Sequence, residues 1–149
     1  MIGINLYKAP PYLLEKINII CTLLKQGKKE YEQVADNITN KDMRRTMLSL
    51  AQESNQYACE LSSQIQTLGG MPSVENNEVG TIEGIKNVNE EAAIISLCEK
   101  NEKKMLIAYR DILNESFLYE GLRKMIRYQL NEMLCAFMQV KQLGYLKFH

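Results

Sequence analysis

Histidine is nearly missing from these 149 residues, and the one present, His149, is the last. With no imidazole inside the chain, no serine or cysteine has the usual base to activate it, which argues against a nucleophilic catalytic site. Proline is almost as scarce: Pro10, Pro11 and Pro72 leave the rest of the sequence free of helix breakers. No apolar run approaches the roughly 20 residues that span a bilayer, and "MIGINLYKAPPY" lacks the charged start and long apolar stretch of a signal peptide. No charge of one sign dominates either. Eighteen lysines and arginines balance eighteen aspartates and glutamates, so no net field recruits nucleic acid or an anionic membrane. A phosphate-binding glycine loop is absent, because "LGGMP" follows a helical stretch and reads as its cap. No small-molecule substrate is identifiable, and the expected location is the cytoplasm.

Segments that alternate with period two are missing as well, which leaves an all-α chain of one domain. What is present is four stripes of apolar residues at helical spacing. The first passes through Leu13, Ile17, Leu24, Tyr31 and Val34, and the second through Met43, Met47, Leu50, Ser54 and Leu61. The third includes Ile94, Cys98, Asn101 and Met105, and the fourth Ile126, Gln129, Met133 and Val140. These place helices over residues of about 11–38, 41–68, 90–115 and 118–144, given the uncertainty of helix ends. "NITNKD" and "NESFLYEG" make short links. The middle one, "MPSVENNEVGTIEGIKNVN", is long enough at about 3.3 Å per residue to run the length of a helix. Short, long, short is the loop order of a ferritin-like four-helix bundle with one crossover between helices two and three. In this reading helix three starts from the end where helix one started.

The segments "EYEQVADNITNKDMRRTMLSLAQESNQYACELSSQIQTLGGMP", "LCEKNEKKMLIAYRDIL" and "QLNEMLCAFMQVKQL" resemble a bacterial family of ferritin-like four-helix bundles of unknown function, related to the YciF-type stress proteins. The resemblance runs from about Leu13 to Leu143 and is most specific at "YACEL" and "LGGMP". It implies a cytoplasmic, often dimeric protein without an assigned reaction. The wider ferritin-like superfamily implies a di-iron site, held by carboxylates from all four helices with Glu-x-x-His on two of them.

Helix phase at about 100° per residue tests whether such ligands face inward. Ser54 and Tyr57 form the inward pair on helix two, where glutamate and histidine would be needed. Gly27, Asn101 and Gln129 take the inward positions on the other helices, at a similar depth when counted from the nearer short loop. Together, Gly27, Ser54, Tyr57, Asn101 and Gln129 are expected to form a polar layer in which amides bond across the centre. Glu30, Glu53, Glu102 and Glu132 lie about 100° off the stripes and would have to bend inward to hold metal. No cofactor is expected, and iron or manganese on these four glutamates is the alternative. The leading function is a structural or interaction protein with a degenerate metal site, and the resemblance implies a link to stress. A di-metal protein that oxidises or stores iron is the rival.

Cys21, Cys59, Cys98 and Cys135 fall one per helix, at one level by the same loop count, but only Cys98 reads as inward, so a four-thiolate metal cluster is disfavoured. The pairs Lys28–Lys29 and Lys103–Lys104 read as solvated faces. Ile95, Leu106, Leu113, Leu134 and Met138 lie off the core stripes of helices three and four and are the expected interface of a symmetric homodimer.

Overall fold

The computed structural model describes residues 9–72 and 90–148. The middle of the long link, His149 and the first eight residues lie outside this set. Four helices pack together, α1 (Pro11–Asn37), α2 (Lys41–Thr67), α3 (Glu90–Leu113) and α4 (Glu120–Phe148), with no strand among the described residues. They match the expected elements within two residues at most ends, and α4 runs further than expected. No helix among the described residues is long and apolar enough to cross a membrane.

Local chemistry sets the helix ends. Pro11 takes the first turn of α1, where its missing N–H costs nothing. Asn40 caps α2, its side chain accepting from the Met43 N–H at 2.9 Å. The "LGGMP" stop is a Schellman motif: Gly69 adopts φ 85°, and the Gly70 N–H donates to the Ile65 carbonyl at 2.9 Å. Gly70 serves packing as well, since a Cβ there would sit 2.9 Å from Leu14 of α1.

Both short links are closed by the same device. Arg44, in the first turn of α2, donates to the carbonyls of Ala35 at 3.1 Å and Ile38 at 2.5 Å. Arg123, in the first turn of α4, donates to those of Leu113 at 2.7 Å and Glu115 at 2.6 Å. Each guanidinium satisfies carbonyls that the end of the preceding helix leaves without partners.

The stripes meet in one core that includes Ile17, Leu24, Met47, Leu61, Ile126 and Phe137. α1 contacts α2 and α3, and α4 contacts α2 and α3, so α1 faces α4 across one diagonal and α2 faces α3 across the other. The α1–α2 pair packs most closely, consistent with small buried residues there: Gly27, Ala51, Ser54 and Ala58.

Long-range bonds fix the directions. Lys16, near the start of α1, bonds Glu115 beyond the end of α3 at 2.7 Å, while Asn101 of α3 bonds Glu30 of α1 at 3.1 Å. α1 and α3 are therefore antiparallel. This corrects the expectation that helix three starts where helix one starts: α3 starts where α1 ends. The two short links consequently lie at opposite ends, and depths counted from the nearer one are not comparable between the two hairpins.

Replacing Arg44 or Arg123 with methionine removes charged donors from terminal carbonyls, at a cost of about 1–3 kcal/mol each. A thermal melt should show the midpoint falling by roughly 2–4 °C per kcal/mol for a chain of this size. Unchanged melting in both variants would refute the closing role.

Candidate functional site

The interior polar groups form two networks, one across the α1–α3 seam and one joining α3, α4 and α2. In the first, Tyr31 of α1 is fully buried and its hydroxyl accepts from Asn101 Nδ2 at 2.9 Å. The same amide donates to Glu30 at 3.1 Å, and the Tyr31 ring meets Phe137 edge-on at 6.4 Å. Gly27, one turn before Tyr31, leaves room for that ring, because a Cβ at 27 would lie 3.1 to 3.3 Å from its outer atoms.

In the second network, the buried Tyr109 hydroxyl of α3 donates to Gln129 Oε1 of α4 at 2.9 Å. Gln129 Nε2 in turn donates to Glu60 at 3.0 Å and to the Tyr57 carbonyl at 3.4 Å. One buried amide thus joins three helices. Burial raises the hydroxyl pKa of both Tyr31 and Tyr109, which keeps the phenols neutral and fixed as hydrogen-bonding groups.

The expected single polar layer is therefore corrected. Asn101 and Gln129 do bond across helices, but in separate networks, because Asn101 reaches over the α1–α3 seam to Tyr31 and Glu30 while Gln129 reaches to Tyr109 of α3 and to α2. Gly27 contributes space. Ser54 turns back on its own helix, donating to the Leu50 carbonyl at 2.8 Å. The Tyr57 hydroxyl leaves the centre to bond Glu53 at 2.8 Å. Sequence reasoning missed Tyr31, Tyr109 and Glu60 as members. The available signal was chemical: a tyrosine in a core stripe carries a hydroxyl that needs a partner.

The four glutamates do not converge. Glu30 is on the α1–α3 seam with Asn101, and Glu102 is on the α3–α4 seam, paired with Lys141 at 2.7 Å. Glu53 and Glu132 are near one another on the α2–α4 seam, beside Tyr57 and Tyr128, whose rings meet edge-on at 6.3 Å. Among the described residues, no three His, Cys, Asp or Glu side chains gather closely enough to hold a metal ion. A di-metal centre needs carboxylates that bridge two ions in the bundle interior. Here a tyrosine ring and two amides fill that interior, so the residues present do not fit such a centre.

The cysteines divide differently from expectation. Cys98 is buried, but so is Cys21, whose thiol lies 3.8 Å from the Ala58 carbonyl; Cys59 and Cys135 are exposed. Cys21 neighbours Tyr109, whereas Cys98 neighbours Tyr31, so the four do not share a level. Burial pushes the Cys98 thiol up to about 12 and raises that of Cys21, which holds both as neutral thiols.

The five residues expected at a dimer surface differ in exposure. Leu106, Leu113 and Leu134 are half-buried against the protein's own core, and Ile95 is half-buried with its tip over Gly144. Met138, 56 % exposed, is the only one of the five on the open surface.

A sequence profile described as a domain of unknown function, DUF2383, matches residues 13–115. The chain belongs to this family. In the DUF2383 stretch lie α2, α3, all but the first two residues of α1, and the Tyr31, Asn101 and Glu30 hydrogen bonds, while Phe137 and Gln129 are outside it. No curated protein matches the chain significantly.

Two measurements probe the networks. Tyr109→Phe leaves Gln129 Oε1 buried without its donor and should cost about 1–3 kcal/mol. Combined with Gln129→Met it should cost less than the two single changes added, and strict additivity would disprove the coupling. The second concerns Glu53, whose pKa is raised by burial and by Glu132, against the Tyr57 hydrogen bond that lowers it. The folded protein holds that proton to higher pH than the unfolded chain, so this group's contribution to stability falls as pH rises from the ordinary carboxylate pKa through the raised one. Glu53→Gln, which keeps an acceptor for Tyr57, should gain melting temperature relative to wild type at pH 7 and lose that gain at pH 4. A gain independent of pH would contradict the shift.

Proposed function

We propose that this chain is a ferritin-like bundle with a single crossover, acting in the cytoplasm as a structural or interaction protein, with no resident metal and no catalytic centre. The crossover reading is supported by the directions of the helices: α2 ends and α3 begins at opposite ends of the bundle, on opposite corners, so the link between them has to travel its length. The observation that carries the functional reading is the Tyr31 ring, seated over Gly27 and tied to Asn101 in the space where bridging carboxylates would have to meet. A link to stress rests on the sequence resemblance alone.

The rival, an iron or manganese protein, would draw on Glu30, Glu53, Glu102 and Glu132. To bring them together, Glu102 would have to leave Lys141 and Glu30 would have to leave Asn101. Elemental analysis of untagged protein after anaerobic loading with ferrous ion decides between the two. The expected result is metal far below one ion per chain. About two ions per chain, lost in a Glu30→Gln variant, would establish the rival.

A further inference from the structure

The α2–α4 seam carries Glu53, Glu60 and Glu132 around Tyr128, which is 58 % exposed. None of the described ion pairs involves these three carboxylates. The outer face of α3 has the opposite character: Ile107, 72 % exposed, lies among Lys100, Lys103 and Lys104. α3 contacts α1 and α4 and has no part in the α2–α4 seam, so one copy presents both surfaces at once.

Cross-helix contacts set the heights: Glu102 of α3 bonds Lys141 of α4, and Ile95 packs on Gly144. This puts Ile107 near the level of Glu132, and Tyr128 about one turn, roughly 6 Å, nearer the end where α4 begins. Lys103 lies one turn beyond Ile107, and Glu132 one turn beyond Tyr128, in the same direction along the bundle. A second copy shifted sideways, and by about that one turn along the axis, without rotation, sets isoleucine against tyrosine and lysine against glutamate.

We infer that the α2–α4 seam receives the α3 face of a second copy. The contact joins two different surfaces, so it does not close as a two-fold dimer; each added copy leaves one seam and one α3 face free. Complementary charge steers the approach and is screened by salt, while Ile107 and Tyr128 supply the apolar centre. The inference deepens the interaction-protein reading and rests on it.

Sedimentation of the full chain at low salt should give a mass above 17.2 kDa that rises with concentration and falls back as salt is added. A seam variant, Glu132→Lys with Tyr128→Ala, and an α3 variant, Lys103→Glu with Ile107→Glu, should each sediment at the single-chain mass with unchanged helical circular dichroism. Mixed, they should form a pair of twice that mass, because the seam variant keeps its α3 face and the α3 variant keeps its seam. The inference is overturned by a wild type that stays at 17.2 kDa, by variants that still associate alone, or by a mixture that does not pair. If either variant loses helicity, the mixing is repeated with Glu132→Gln and Lys103→Gln, and failure of that pair to weaken wild-type association overturns it equally. A monomeric wild type would leave the metal content, and with it the reading of the interior, untouched.

Discussion

Two buried tyrosine hydroxyls must find partners in a core that excludes water, and much of the interior follows from how they do so. An unsatisfied buried hydroxyl costs on the order of a few kcal/mol, comparable to a large share of a domain's net stability. Tyr31 is met by Asn101 and Tyr109 by Gln129, each pair crossing between helices. A hydrogen bond has direction and length, so each pair fixes rotation and register between its helices in a way that interdigitating leucines do not. Gly27 belongs to the same arrangement, since a Cβ there would crowd the Tyr31 ring at 3.1 to 3.3 Å.

Those partnerships also define what the bundle interior is available for. Carboxylates remain near the centre only at its seams, and each has a partner there: Glu30 and Glu60 an amide, Glu102 a lysine, Glu53 a phenol. Metal sites in helical bundles depend on several carboxylates free to move toward one point. In this protein the acids are distributed over three seams and the centre is held by neutral groups, a division that favours surface chemistry over interior chemistry.

The helices were legible in the sequence because apolar spacing carries period and length directly. Their directions were not. A stripe reads the same from either end, and a long link permits both placements of helix three; only the bonds from Lys16 to Glu115 and from Asn101 to Glu30 settle the matter. The loss of direction also undid the depth comparison between the two hairpins, which is why the cysteines do not share a level; Asn101 and Gln129, counted from the same link, part because they cross different seams. Inward phase alone identified Ser54, Asn101 and Gln129 correctly as the buried polar residues, but phase does not say where a side chain's hydrogen bonds go. Ser54 closes on its own helix, and Tyr57, counted as inward, sends its hydroxyl out to Glu53.

The arginine closures at Arg44 and Arg123 bear on how the chain reaches this state. Each ties a helix to its immediate neighbour through bonds only 6 to 10 residues apart in sequence, so each hairpin can be latched before the other exists. The tyrosine–amide bond from Tyr31 to Asn101 spans 70 residues and waits on closure of the long link. Assembly is thus expected to proceed as two locally knotted halves that dock late, a sequence of events that contact locality favours and that pulse-labelled amide exchange would register as early protection within hairpins and late protection between them.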